Sequence, residues 1–135
     1  MAALTADRNT PERDSKEFSF PIAASIKLWA GSIACLNSSG NVTNGAASTT
    51  LKAVGVVTET VDNTSGAAGA RNVKIRRGCF RFLNSAAGDA ITLADYGASC
   101  YIVDDQTVAK TNGSTSRSIA GIVRSVDSDG VWVQF

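Results

Sequence analysis

The stretch Val73-Lys74-Ile75-Arg76-Arg77-Gly78-Cys79-Phe80-Arg81-Phe82 decides how the chain is read. Val73 and Ile75 fall on one side of an extended backbone and Lys74 and Arg76 on the other, the two-residue period of a half-buried strand. Past Arg77-Gly78 the apolar phase passes to Phe80 and Phe82, one residue out of step. A β-bulge at Arg77-Gly78 accounts for the slip, since one extra residue bends a strand and re-aims the side chains beyond it.

The flanking sequence has the same grain. Phe18 and Phe20 share a side of an extended segment stopped at Pro21, and Ile26, Leu28 and Ala30 alternate with Lys27 and Trp29 up to Gly31. Ile33 to Leu36 precedes the turn Ser38-Ser39-Gly40-Asn41, and Leu51 to Val61 is too continuously apolar between Ala53 and Val57 to face water. It is expected to be a central strand. Asn44 to Thr50 and Asp62 to Ala70 read as loops. Ile91 to Tyr96 can form one helical turn, capped by Thr92 and stopped at Gly97. Tyr101 to Val103 is a strand and Asn112-Gly113 a tight turn. Ile119 to Val126 pairs with Val131 to Phe135 across Asp127-Ser128-Asp129-Gly130, where Asp-Gly supplies positive φ angles. Eight or so short strands and no long helix indicate an all-β fold, an antiparallel sandwich or barrel, over residues 17–135. Residues 1–16 are polar and charge-mixed. They are expected to form an extended arm, either a frayed terminus or a tether that orders against a neighbouring subunit.

Composition narrows the function. The 135 residues suit one domain, and a chain of about 14 kDa can bury roughly two-thirds of its unfolded surface without metal or disulfide staples. Thirteen Lys and Arg against twelve Asp and Glu leave a formal charge of +1, which argues against a whole-protein field for nucleic acid or membrane. There is no His, so a Ser-His-Asp or Cys-His nucleophile pair and the common mixed zinc site are excluded. No nucleophile has an evident base and no phosphate loop is present, so the chain is read as a non-enzyme with no cofactor. Cys35, Cys79 and Cys100 are odd in number and lie in strand-like sequence, as expected of buried free thiols in a reducing compartment. Neither an apolar span nor a charged leader with an apolar run is found, which points to a soluble protein made in a cytoplasm.

Four features are weighed as candidate sites. Arg71, Lys74, Arg76, Arg77 and Arg81 place five cations in eleven residues with no acid among them. An edge strand protected by charge and a basic stripe facing an acidic partner both fit. A nucleic-acid groove fits less well, because Phe80 and Phe82 fall on the opposite face from the cations. Trp29 and Trp132 are displaced from the inner faces of their strands, as contact surface or as a second core layer. Asp104 and Asp105, adjacent in sequence, point to opposite faces and read as a loop acid and a turn residue. Asp127-Ser128-Asp129-Gly130 lacks the further ligands of a calcium loop.

Three segments together carry a family likeness: Ala3 to Pro11, Val61 to Phe82 with its Val-Asp-Asn-Thr opening and Arg-Arg-Gly-Cys-Phe-Arg-Phe close, and Ala120 to Phe135. They resemble the small capsid cement, or decoration, proteins of tailed bacteriophages, most closely in the second half and least at Asn44 to Thr50. The resemblance implies a jelly-roll-like protein on the outer surface of a phage head, made in the bacterial host and clamping neighbouring major capsid subunits against the pressure of packed DNA. It makes the major capsid protein and other copies of the chain the partners, with a dimer favoured over a trimer because two-fold contacts are the commonest closed arrangement. Direct nucleic-acid and membrane contacts are not expected. Arg8 and Arg13 of the arm, Arg76 and Arg77, and Trp29 and Trp132 are the expected contact residues. A carbohydrate- or receptor-binding β module with Trp29 or Trp132 as its stacking platform is the alternative.

Overall fold

The computed structural model describes residues 2–135 and is all-β. Twelve short strands form: β1 (Glu17–Pro21), β2 (Ile26–Leu28), β3 (Ile33–Leu36), β4 (Val42–Asn44), β5 (Lys52–Val57), β6 (Val61–Asn63), β7 (Asn72–Arg76), β8 (Cys79–Asn84), β9 (Ser99–Ile102), β10 (Thr107–Ala109), β11 (Ile119–Asp127) and β12 (Gly130–Gln134). They make an open sheet ordered β1-β7-β5-β3-β4, a closed five-stranded barrel ordered β10-β8-β12-β11-β9, and a two-stranded ribbon of β2 and β6.

The phase slip at Arg77-Gly78 is not a bulge. β7 ends at Arg76 inside the open sheet and β8 begins at Cys79 inside the barrel, so the chain changes sheets between them. Each strand obeys its own alternation, with Val73 and Ile75 buried in one body and Phe82 in the other. The bulges lie elsewhere: β5 is irregular at Val54 against β3, and β11 against both its neighbours.

Alternate residues of β3 feed two cores. Ile33 and Cys35 join Val56 and the barrel residues Phe82, Cys100, Ile102, Val108, Val123, Val131 and Val133. Ala34 joins Val42, Val57, Val73 and Ile75, which pack with Leu28 of the ribbon and with Ile22. The open sheet therefore lies between the barrel and the ribbon. Its central strand β5 runs between β3 and β7, as the apolar run Ala53 to Val57 requires, but it stops at Val57, and Val61 starts β6. The antiparallel expectation fails at one ladder, where β8 and β10 run parallel and close the barrel.

Local signals mostly act as their chemistry dictates. Leu93–Asp95 is a single 3-10 turn in which the Asp95 carboxylate accepts from the Thr92 N–H at 2.8 Å and from its hydroxyl at 3.3 Å. A second such turn, Ala87–Asp89, had no sequence signal. The β11–β12 hairpin forms, but neither Ser128 nor Asp129 has positive φ; the Asp127 carboxylate instead accepts from the N–H groups of Asp129 (2.8 Å) and Gly130 (3.1 Å). The loop after β6 is gathered by buried Asn63, whose amide donates to the carbonyls of Ala23 and Ala67 at 2.9 and 3.1 Å.

Gly55 sits at the bulge in β5 with φ +144, and a Cβ there would lie 2.4 Å from the Arg76 carbonyl oxygen. Gly55→Ala is expected to lower stability by about 3 kcal/mol in denaturant titration, because strand β7 must shift. Gly40→Ala, where φ is +80 but nothing stands within 4 Å, is expected to cost about 1 kcal/mol.

Candidate functional site

Arg76 and Arg77 stand where β7 leaves the open sheet, and the register of β1 on β7 sets Glu17 opposite Arg76. Glu17 Oε1 accepts from Arg76 Nη2 at 3.0 Å and from Nε at 3.3 Å. Both side chains are half exposed, so the pair contributes at most about 1 kcal/mol and serves chiefly to align the strand ends. The Arg77 N–H donates to the Lys16 carbonyl at 2.7 Å, stitching the residues before β1 to the end of β7. Its guanidinium is exposed and joins no ion pair among the described residues. Asp14, Lys16 and Glu17 complete an open cleft with the two arginines.

Arg77 also rims a second feature. Where β7 departs, the β5–β7 ladder stops at Val56, so Lys52 and Ala53 pair with β3 on one side only and Val54 is the unpaired residue of the bulge. Phe18, Phe20, Ala53, Val54, Ile75 and Phe135 line an apolar slot of about 410 Å³ there. Phe135 is held by its N–H to the Gly78 carbonyl at 2.9 Å and by an edge-on contact with Phe82. The slot is a long-range product of the fold, and nothing local in the sequence marks it.

The other candidates distribute as follows. Arg13 joins the arginine cleft's neighbourhood, its guanidinium 4.5 Å from the Phe18 ring centroid. Arg8 is exposed and joins no ion pair among the described residues. Trp29 follows β2 in a turn and is 55% exposed, with the Lys27 ammonium 4.0 Å from its ring centroid. It lines a separate cleft with Ala30, Gly31, Ser32, Asp105 and Gln106. Trp132 lies on the outer face of the barrel, half-buried, donating from Nε1 to Asp127 Oδ2 at 2.9 Å beneath Arg81. Neither tryptophan belongs to a core, so the second-layer reading is set aside. The expectation of three buried thiols fails at Cys79, which is exposed at the start of β8 with its side chain on the outer face.

Titratable groups behave accordingly. Burial pushes the thiol of Cys35 up to about 12 and that of Cys100 up to about 11. The Trp132 indole N–H, and then the Asp129 N–H, hold the Asp127 carboxyl below its ordinary value. The chain matches no family model, no curated protein and no solved structure.

Two outcomes follow from these environments. An aromatic disulfide reagent near neutral pH is expected to titrate one thiol rapidly in the native protein and all three in denaturant, with Cys79→Ser removing the fast phase. Trp132→Phe is expected to raise the Asp127 pKa toward the ordinary carboxylate value by NMR titration. Because that pKa is depressed in the fold, the stability linked to it is present above about pH 4 and lost as pH falls through the folded value. The variant should lose that part of the acid dependence.

Proposed function

We propose that the chain is a capsid cement, or decoration, protein of a tailed bacteriophage, which sits on the outer surface of the head and clamps neighbouring major capsid subunits against internal DNA pressure. The observation that carries the reading is the junction at Lys16–Glu17. Residues 2–16 form no strand or helix and are exposed throughout, and they meet the body beside Arg76, the unpaired Arg77 and the apolar slot. A reaching segment rooted next to a cationic and apolar face is what a clamp across a subunit boundary needs. Its first contact raises the effective concentration for the second, and many copies on one shell make modest interfaces sufficient.

In this reading residues 1–16 act as the arm, with Arg8 and Arg13 meeting one subunit, while Arg76 and Arg77 meet carboxylates of the next in bidentate geometry. The reading expects a jelly-roll-like body from the family resemblance, and the proposed assembly is a two-fold dimer. The resemblance of Ala3 to Pro11, Val61 to Phe82 and Ala120 to Phe135 to the cement proteins of tailed phages supports it.

Heads assembled without the protein are the test. Adding back the full chain is expected to raise the temperature at which they release DNA. A chain lacking residues 1–16 is expected to be retained at least about tenfold more weakly, as is Arg76→Glu/Arg77→Glu. Unchanged retention and heat resistance with both variants would sink the reading.

A further inference from the structure

Two tight turns, one from each body of the fold, meet at Trp29. The first, Trp29 to Ser32 between β2 and β3, is pinned from several sides. The Gly31 N–H donates to the Val57 carbonyl at 2.8 Å, the Ala30 N–H to Thr60 Oγ1 at 3.1 Å, and the Ser32 hydroxyl to the Trp29 carbonyl at 2.7 Å. The second, Asp104 to Gln106 between β9 and β10, is held by the Gln106 N–H to Asp104 Oδ1 at 3.0 Å and by the Leu83 N–H to the Gln106 carbonyl at 2.9 Å. The Ile33 N–H donates to the Asp105 carbonyl at 2.7 Å and locks one turn to the other.

Between them is a cleft of about 430 Å³ lined by Trp29, Ala30, Gly31, Ser32, Asp105 and Gln106. Its polar side chains are unspent: among the described residues the Asp105 carboxylate, the Gln106 amide and the indole N–H of Trp29 join no ion pair or side-chain hydrogen bond. Lys27 sits over the indole ring, and the side chain is 55% exposed. Trp132 also carries a cation, Arg81 at 5.8 Å from its centroid, but differs in that its N–H is taken by Asp127.

We infer that this cleft binds a neutral pyranoside. The face of the indole turned away from Lys27 provides a flat apolar platform for the C–H face of a sugar ring. A carboxylate and an amide beside it accept from and donate to vicinal hydroxyls, with the charge-assisted bonds supplying orientation. The Lys27 ammonium on the indole and the Asp105 carboxylate beside it balance in sign, so the cleft favours neither acidic nor basic ligands. The backbone that carries the two polar side chains and the indole is fixed by hydrogen bonds before any ligand arrives, so only the side chains are ordered on binding. The site shares no residue with the arginine cleft and goes beyond the proposed clamp.

The two tryptophans give two indole N–H signals in a nitrogen–proton correlation spectrum, which Trp29→Phe and Trp132→Phe assign. Cellobiose, lactose and maltose, each added to about 10 mM, are the probes, a range suited to millimolar dissociation constants. For at least one disaccharide the Trp29 signal is expected to shift saturably while that of Trp132 stays in place. Asp105→Ala is expected to weaken that binding about tenfold, and Trp29→Ala to abolish saturation transfer to the sugar while leaving the rest of the spectrum folded. No saturable shift with any of the three, equal movement of both indoles, or binding untouched by Asp105→Ala would each overturn the inference. Head retention, measured separately, would be unaffected by that result.

Discussion

Strand β3 has no face of its own toward solvent. Its residues alternate between two cores, Ile33 and Cys35 into the barrel side and Ala34 into the ribbon side, and all three are fully buried. A strand burdened this way tolerates little: a slip of one residue would exchange the two sets and leave each core with side chains of the wrong size. Everything else hangs on that register. It positions β5 and, through β5, β7; it brings the turn after Trp29 against the turn after Asp104; and it aligns the junction at Glu17 with the end of β7. The two bodies of the fold are thus one cooperative unit, since neither can lose β3 without exposing its core.

The parts of this arrangement that obey local rules could be read from the chain. The alternation of Val73 and Ile75 with Lys74 and Arg76, the continuous run at Ala53 to Val57, the hairpin around Asp127 to Gly130 and the turn at Thr92 to Asp95 all carry their cause within a few residues. The slip at Arg77-Gly78 was visible too, yet alternation alone cannot tell an extra residue from a change of sheet. Both displace the apolar phase by one. Strands of three residues, such as β4, β6 and β10, are shorter than the window in which a period can be recognised, so Val61 reads as the end of the preceding strand and Asp62 and Asn63 as loop.

The candidate site divides along the same line. Arg76 and Arg77 were conspicuous because no acid lies near them in sequence, and the acid that does meet Arg76 is 59 positions away, at Glu17. Phe135 in the slot and Asp105 beside Trp29 are likewise products of topology, since each comes from the barrel and meets residues of the open sheet or its turns. Cys79 reads as a buried thiol because it lies in strand-like sequence, but Phe80 faces inward and on a strand immediate neighbours face opposite ways. The proposed clamp and the inferred sugar cleft both occupy junctions between the two bodies, where the rigid cores hold short unpaired segments in fixed relation.

Closure of the barrel depends on a narrow seam. Around the rest of its circumference the strands run antiparallel, but β8 and β10 meet in a parallel ladder of two positions, Leu83 with Thr107 and Asn84 with Val108. Parallel pairing is slightly weaker per residue, and this stretch is no longer than the antiparallel β9–β10 ladder beside it. Side chains reinforce it: the Ser85 hydroxyl donates to the Val108 carbonyl at 2.9 Å, and the Asn84 amide brackets Ile91. A shearing load carried across the cylinder parts it along this line first. The product is an unrolled ribbon with two raw margins, each chemically ready to knit to the same margin of another copy.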